Sequence, residues 1–499
     1  MNETTMRLVA GAATALLGLT AFAVPASAVP ERPSSAAIAA VVEANLGPIR
    51  LPGVAVVVVE NGELVHTGGY GRDSHGEPIT SATPMRIASL SKSFTALAVM
   101  QLAEAGTIGL DDPVMRYLPE FSMADPRADR ITIRHLLDHS SGMSDSSYPE
   151  SALPQPDSLR EAVADLRHAR LDAAPGERHA YHNPNYWVAA RLVEAVSGQQ
   201  FAEYLDRHVF TPLHMDSTVT VDNSHDPVPR LSDGHNRFLG ITWPRREPER
   251  FVAGSAGIVT TADDLARWLM LHTARTTSTV LSASGIDELH RPSAPDGHYA
   301  LGWDNPDTST GQRQVSHSGS SFTSTANMVL LPGSGYGIGL LSNSRMPLEA
   351  DAEAIMEDLI ALTRGVSPEG YRLPLAFIAE LSVLAAAVSI VVGGGRKARR
   401  ARDWAARRKA AASRPRVVLG LATCLVPLPV FVFLPHILEL VTGGRTVTFL
   451  LLSHVWPTFL AAVGATAAVG AVVAAARILA LRELATAARS RTGVDGADA

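Results

Sequence analysis

The sequence has little of several residue types, and two of these scarcities exclude a class of protein. A single cysteine, Cys424, excludes an internal disulfide and any metal cluster held by cysteines. Charged residues make up only 18% of the chain and hydrophobic residues 46%, which excludes a disordered or collagen-like chain. Lysine is scarce too, because 40 of the 43 basic residues are arginine. The full chain of 499 residues is long enough for a large core and for apolar segments beyond it.

Charge is divided unevenly along the chain. Residues 29–370 contain 26 basic and 42 acidic residues, whereas residues 371–499 contain 16 basic and 6 acidic residues. The acidic body argues against nucleic acid as a partner, and the basic tail indicates a membrane partner.

Residues 1–28 are predicted to be a secretory signal peptide. An apolar run at 8–24 ends in the small-residue pattern Ala-Ser-Ala at 26–28, which is typical of a cleavage site. The segment before the run has only Arg7 as a basic residue, with Glu3 opposing it. Initiation at Met6 would remove the acid and improve the signal. The alternative is an uncleaved membrane anchor.

Three apolar segments of the tail are each long enough to cross a bilayer, which takes about 20 residues. They are residues 373–395, 417–438 and 446–476. Ten lysines and arginines lie between the first two segments, at 396–416, so the positive-inside rule places this loop in the cytoplasm. The tail at 477–499 is then cytoplasmic as well, and everything before the linker at 367–372 is extracellular. The signal peptide requires the same orientation.

One acid, Glu380, lies within the first predicted span. An ionisable group in a membrane is a functional candidate by default. We favour instead an acid near the outer surface that pairs with a neighbouring span. Three spans with one acid are too few for a transport path in a monomer, so a channel is the least favoured function.

The exported part, residues 29–366, is predicted to be an α+β domain. Sequence patterns favour two hairpins, at Asn61-Gly62 and across 332–335, and helices at 34–46, 91–105, 132–138, 261–272 and 348–364. Strands at both ends of this part would share one antiparallel sheet flanked by helices, with a mainly helical subdomain between them.

Ser89 and Lys92 are the first candidates for catalysis. They lie three residues apart at the start of a predicted helix, so their side chains share one face. A lysine can take the proton of a serine if its pKa falls from about 10.4 toward neutrality, whereas arginine does not deprotonate. Lys92 is the only lysine of the exported part, since the other two are Lys397 and Lys409. This exception indicates that a neutral amine is required at Lys92.

Two more segments complete a set, Tyr181-x-Asn183 and His317-Ser318-Gly319. In this order after Ser89-x-x-Lys92, they resemble the penicillin-recognising serine hydrolases, which include class C β-lactamases, DD-carboxypeptidases and esterases. The likeness covers roughly residues 35–345 and extends through connecting segments at 110–113, 131–137, 141–143 and 256–261. It does not cover the apolar tail.

The resemblance implies an acyl-enzyme mechanism. Ser89 would attack a carbonyl group, with Lys92 and Tyr181 sharing the proton transfers. Asn183 would orient the substrate amide and Lys92, and the backbone N–H groups of Ser89 and Ser320 would form the oxyanion hole. The segment His317 to Ser320, with Ser318 and Gly319, would line the substrate site. No metal and no other cofactor is implied.

His317 departs from the lysine that many β-lactamases of this family carry there. A lysine is a permanent cation for a substrate carboxylate, whereas a histidine near pH 7 is mostly neutral. Two roles stay open for His317: its cationic form binds a substrate carboxylate below about pH 6.5, the ordinary histidine value, or its neutral ring is a hydrogen-bond donor. This difference favours D-amino-acid peptides or esters over β-lactams. A second histidine pair, His135 and His139, has a spacing that suits a metal on a helix, but it lacks further ligands and is predicted to be structural.

The sequence therefore predicts a membrane-tethered serine hydrolase with an extracellular catalytic domain. Its partners would be a small-molecule or peptide substrate and membrane lipid, with no nucleic acid. The alternative is a penicillin-binding or sensor domain without turnover that signals through the spans. The oligomeric state stays open.

Overall fold

The computed structural model describes residues 32–49, 51–274, 276, 278–308, 311–345, 350–370, 375–410 and 414–492. The predicted signal peptide lies outside the described residues. Within them, an α+β domain is followed by a group of apolar helices, which confirms the predicted fold class.

The central sheet has five antiparallel strands, two from the start of the domain and three from its end. In spatial order they are β2 (Glu63–Gly71), β1 (Gly53–Glu60), β10 (Tyr336–Ser342), β9 (Thr325–Leu331) and β8 (Val315–Ser320). The pairing of β1 with β10 confirms that the two ends of the domain share one sheet. Both predicted hairpins, β1–β2 and β9–β10, are confirmed as well.

β1 is buried on both faces, which explains its continuous apolar sequence. Residues 54, 56 and 58 belong to one core, and residues 55, 57 and 59 belong to another. The first core is completed by α1 (Ser35–Ile49) and α9 (Ala350–Thr363), and the second by α7 (Ala262–Thr273). The sheet is therefore a middle layer between helices.

A mainly helical region lies between β2 and β8, as predicted. Its other helices are α2 (Ser91–Glu104), α3 (Ile133–Leu137), α4 (Leu159–Asp165), α5 (Pro184–Ser197), α6 (Phe201–Leu205) and α8 (Ala283–Leu289). Its strands are β3 (Met85–Arg86), β7 (Ile258–Thr260) and β4 (Val219–Thr220), paired in that order, and the hairpin β5 (Gly234–Phe238) and β6 (Ile241–Arg245). α2 runs through the interior, and the ring of Phe94 stacks on Trp268 of α7 with 3.6 Å between centroids. The core therefore fixes the helix that follows Ser89.

Three stretches of the tail are long and apolar enough to cross a membrane: Phe377–Arg399, Arg414–Val432 and Pro457–Ala488. The helices of the tail are α10 (Leu375–Arg399), α11 (Ala401–Ala410), α12 (Arg414–Leu425), α13 (Pro427–Val432), α14 (Leu434–Val441), α15 (Phe449–Val455) and α16 (Pro457–Thr492).

The helix boundaries differ from the predicted second and third spans. The segment 417–438, expected to be one helix, is divided among α12, α13 and α14 near Pro427 and Pro435. Proline cannot donate the backbone hydrogen bond that would continue a helix. In the segment 446–476, α15 ends at Val455 and α16 starts at Pro457, for the same reason.

The domain contacts the tail through the β5–β6 hairpin. At the tip of the hairpin, the backbone N–H of Leu239 donates to Glu380 Oε2 over 2.6 Å. Farther along the hairpin, Arg245 Nη1 donates to the backbone oxygen of Ser453 over 2.9 Å. Glu380, which we expected to pair with a neighbouring span, is thus bound by the backbone of the α+β domain in this contact.

We expect Gly339→Val in β10 to destabilise the fold, because a Cβ atom there would lie 2.7 Å from Val57 Cγ1 and from Leu265 Cδ2. Overpacking of this kind costs about 1–3 kcal/mol. Gly333→Val is the control, since nothing lies within 4 Å of its Cβ position in the turn of the same hairpin. It should change stability by less than about 0.5 kcal/mol. Chemical denaturation of the two full-length variants in detergent checks this, and equal stabilities would contradict it.

Candidate active site

Ser89 lies in a tight turn, Ala88–Leu90, between β3 and α2. Ala88 has a φ of 46°, a left-handed conformation that is strained for a residue with a Cβ atom. β8 passes close to this turn, because a Cβ atom on Gly319 would lie 2.1 Å from the backbone oxygen of Ile87. Gly319 therefore lets β8 lie directly against the turn that carries Ser89.

The Lys92 amine is fully buried and contacts three oxygen atoms. Its Nζ lies 3.2 Å from Ser89 Oγ, 2.9 Å from Asn183 Oδ1 and 3.0 Å from the backbone oxygen of Ser255. A neutral amine has two hydrogens and one lone pair. The two carbonyl oxygens take the hydrogens, because they can only accept, and the lone pair is left for the Ser89 hydroxyl. A general base for Ser89 needs this arrangement.

The surroundings of Lys92 favour its neutral form. Burial lowers the pKa of Lys92 well below 10.5, and the positive charge of Arg445 lowers it further. Glu150 acts in the opposite direction, and Arg250 again lowers the pKa. The direction of the shift agrees with the neutral amine that the isolated lysine indicated.

Tyr181 lies next to both residues. Its hydroxyl hydrogen-bonds with Ser89, and Lys92 Nζ lies 4.8 Å from the centroid of its ring. Burial raises the pKa of Tyr181 to about 12, so its phenol is protonated before the reaction begins. Tyr181 is therefore suited to passing a proton on, and Lys92 to accepting the first one.

Three buried residues that the sequence analysis missed surround Asn183. Glu150 Oε1 accepts a hydrogen bond from Asn183 Nδ2 over 2.9 Å. Asp145 Oδ1 lies 2.9 Å from Nδ1 of His182, which is the middle residue of the Tyr-x-Asn segment. The place of His182 within the Tyr-x-Asn segment was the one sequence feature that pointed to this network. Asp145 and Glu150 lie in a segment without a motif. The network fixes Asn183, whose other amide atom contacts Lys92.

The same three residues offer possible metal-ligating atoms within 4.8 Å of one another. The sequence analysis predicts no metal here. Asp145 already has His182 as one partner and Arg445 Nε, 3.3 Å away, as another. With its carboxylate oxygens used in this way, the group is better described as a charged network that supports Asn183.

His135 and His139 have structural contacts of their own. Nδ1 of His135 accepts from the backbone N–H of Thr132, and Nδ1 of His139 accepts from that of His182. α3 ends at Leu137, so the two histidines do not share the helix that their spacing suggested.

The contacts and the burial of His317 favour a neutral, hydrogen-bonded ring, which is the second of the two roles left open by the sequence. Its Nδ1 lies 2.6 Å from the backbone oxygen of Ser318, which only accepts, so Nδ1 carries the hydrogen. Its Nε2 then accepts from the Tyr299 hydroxyl over 2.8 Å. Burial lowers the pKa of His317 to about 3, and the nearby charge of Lys92 contributes to the shift. The sequence could not show this, because the pKa depends on burial by distant segments.

A cavity of about 330 Å³ joins these residues. Its walls include six of the eight predicted site residues: Ser89, Tyr181, Asn183, His317, Ser318 and Ser320. The other two are Lys92, buried beneath Ser89, and Gly319 in β8. The sequence analysis missed three arginines of the wall, at 250, 345 and 445, the last of which belongs to the apolar tail. Asp145 and Glu150 also line the cavity, and Asp145 is paired with Arg445. The positive charge offered to a substrate therefore comes from Arg250 and Arg345.

An antiparallel sheet flanked by helices, with a Ser-x-x-Lys pair where the buried helix begins, defines the fold and site of a serine hydrolase of the penicillin-recognising type. The sequence model of the family described as Beta-lactamase matches residues 38–363. The chain belongs to this family.

Relatives of several kinds share this family. Protein flp of Staphylococcus aureus (strain MRSA252) is 27% identical over 314 residues, which are 61% of this chain and 62% of flp, so the chain spans less than two thirds of that relative. Esterase EstB of Burkholderia gladioli is 31% identical over 291 residues, 51% of this chain and 73% of EstB. The octameric penicillin-binding protein homologue from Pyrococcus abyssi has a TM-score of 0.57 at 26% identity, covering 70% of this chain and 81% of that one. These findings confirm the resemblance drawn from the sequence.

Lys92→Met tests the role of the amine. Methionine is of similar length and fits a buried site, but it cannot accept a proton. We expect the variant to fold and kcat/KM for ester hydrolysis to fall at least about 100-fold, the effect of losing a general base. Lys397→Met, which removes an exposed lysine of the tail, is the control and should keep full activity. A folded Lys92→Met enzyme with near-normal kcat/KM would contradict the assignment.

The pH dependence of substrate binding tests the charge of His317. Because the pKa of His317 is about 3, the ring stays neutral at every higher pH. We expect KM for a carboxylate-bearing substrate to show no histidine titration near pH 6.5, the ordinary value. A neutral ester measured in parallel separates effects on binding from effects on catalysis. A KM that rises through about pH 6.5 for the carboxylate substrate alone would show that His317 is cationic after all.

Proposed function

We propose that the chain is a membrane-tethered serine hydrolase that forms an acyl-enzyme on Ser89. The observation that carries this proposal is the 3.2 Å contact between Ser89 Oγ and the buried Lys92 amine, whose other partners leave a lone pair for the serine proton. Its substrates would be D-amino-acid peptides of the cell-wall type, small esters or β-lactams.

The proposed reaction has two stages. Lys92 takes the proton of Ser89 while Oγ bonds to the substrate carbonyl carbon, and backbone N–H groups of Ser89 and Ser320 stabilise the oxyanion. The proton then passes through Tyr181 to the leaving amine or alcohol, and the carbon–leaving-group bond breaks. Water next attacks the ester on Ser89, with Lys92 as base, and releases the acid product together with free Ser89.

The substrate class rests on the charge of the cavity. Two of its wall residues, Arg250 and Arg345, are permanent cations, which suits a substrate with a carboxylate near the scissile bond. The names of two relatives agree with this range of substrates, since one is an esterase and the other a penicillin-binding protein homologue.

The tether and its orientation are also part of the proposal. The contacts at Glu380 and Ser453 lie near the first residues of α10 and α16, and the loop that reaches the cavity lies between the second and third apolar stretches. These positions fall at the end of the helices opposite the basic segment 396–416. A domain at that end would be extracellular if the basic segment is cytoplasmic.

A sensor without turnover is the second candidate, because a loop of the tail reaches the cavity and could report acylation to the apolar helices. Turnover separates the two functions. A sensor would show a stoichiometric burst of product and no steady state, whereas a hydrolase continues.

A membrane-impermeant fluorophosphonate probe tests nucleophile and orientation together. We expect it to label Ser89 in intact spheroplasts as fully as after lysis, because the activated serine would face outward. Ser89→Ala should abolish labelling, and Ser151→Ala, which changes another serine of the cavity wall, should not. Labelling only after lysis would contradict the orientation, and labelling of the Ser89→Ala protein would contradict the nucleophile.

A further inference from the structure

The loop between α14 and α15, residues 442–448, reaches the active site. Gly443 and Gly444 both have positive φ, which turns the chain sharply before Arg445. The backbone N–H of Thr446 then donates to Asp145 Oδ2 over 2.9 Å. A loop of the apolar tail is thus attached to the charged network that supports Asn183.

Arg445 makes three contacts in the α+β domain, two polar and one with an aromatic ring. Its Nη1 donates to the backbone oxygen of Tyr181 over 2.6 Å, and its Nε lies 3.3 Å from Asp145 Oδ2. Its guanidinium carbon also lies 5.1 Å from the centroid of the Tyr181 ring. Arg445 therefore holds both the backbone and the ring of the residue that hydrogen-bonds with Ser89.

The Tyr181 ring contacts the side chains of both Arg445 and Lys92. Lys92 Nζ lies 4.8 Å from the ring centroid and the Arg445 guanidinium carbon 5.1 Å from it, so the amine and the guanidinium are within about 10 Å of each other. Asp145, itself bound to His182, keeps the guanidinium in this position. The permanent charge is therefore fixed near an amine that has to be neutral.

We propose that Arg445 is a positioning residue of the acylation reaction and that the loop 442–448 therefore belongs to the active site. It holds Tyr181 next to Ser89 and keeps a permanent positive charge near Lys92. This inference rests on the proposed acyl-enzyme function and extends it, because the apolar tail then serves catalysis as well as attachment.

The other ionisable groups around Lys92 do not replace Arg445. Glu150 favours the charged amine, Arg250 opposes it less than Arg445 does, and Tyr181 is neutral. Burial holds the pKa of His317 and of His139 below the ordinary value, so both rings are neutral too. Among charged groups, Arg445 is thus the main one that lowers the pKa of Lys92.

The test is the rate of Ser89 acylation by a neutral nitrophenyl ester, measured against pH with the full-length protein in lipid nanodiscs. The variants are Arg445→Gln, Arg445→Lys and the control Arg482→Gln, which removes an exposed arginine of α16. Removal of the Arg445 charge should raise the pKa of Lys92. The alkaline-rising limb of the rate should therefore move up by roughly one pH unit, the effect of one charge at this distance in a protein-like dielectric.

We expect Arg445→Gln to acylate about 10-fold more slowly on the rising limb, at pH values below the pKa of Lys92, because the neutral fraction of Lys92 falls by that factor there. Arg445→Lys keeps the charge and loses the forked contacts, so its limb should return to the wild-type position while its maximal rate stays reduced. Arg482→Gln should match the wild type throughout.

Two results would overturn the inference. One is an Arg445→Gln rate within about twofold of the wild type at every pH, which is below the effect expected of a neighbouring charge. The other is an equal loss at all pH values with an unmoved limb, which is the result of a merely structural role. The absence of an acyl-adduct on Ser89 in the wild type would instead overturn the proposed function, so the two failures are distinguishable.

Discussion

The burial of an uncharged lysine amine beside a serine hydroxyl is the constraint on which the rest of the site depends. An amine with no access to water must give its hydrogens to protein acceptors, and Asn183 and Ser255 provide them. Asn183 in turn needs Glu150 to hold its amide. α2 must be surrounded by the core so that Lys92 stays dry. Fold and site therefore share one requirement, the exclusion of water from the first turn of a helix.

Local patterns were sufficient for much of this architecture. A turn dipeptide between two β-rich runs predicts a hairpin from neighbouring residues alone, and Asn61-Gly62 is such a case. Ser89 and Lys92 are equally local, since a spacing of three puts them on one helical face. The scarcity of lysine gave this spacing a chemical meaning. Arginine can replace lysine wherever a fixed positive charge is enough, so a lysine that is retained indicates a side chain that has to lose its proton.

The features that the sequence could not reveal come from distant segments. Arg445 and Tyr181 are far apart in sequence and meet only after the tail packs on the domain. Asp145 and Glu150 carry no motif, and their roles follow from contacts. The role of His317 stayed open in the sequence because burial and Tyr299, not residue type, determine its protonation. The prolines of the second apolar segment can be read in the sequence. A span predicted from apolar composition alone does not take into account where prolines interrupt a helix.

The two-sided burial of β1 has a consequence for how the protein reaches its native state. A slip of one residue would exchange its two apolar sets with almost no loss of hydrophobicity, so β1 itself specifies register weakly. Gly337 and Gly339 of β10 supply what is missing, because only glycine leaves room for the side chains of Val59 and Val57. β10, the strand that selects the register, comes from the far end of the domain. Closing the long loop between β1 and β10 is slow. The pairing of β1 with β10 therefore finds its register late, whereas β8, with the wall that contains His317, can pair earlier with β9, its neighbour in the chain.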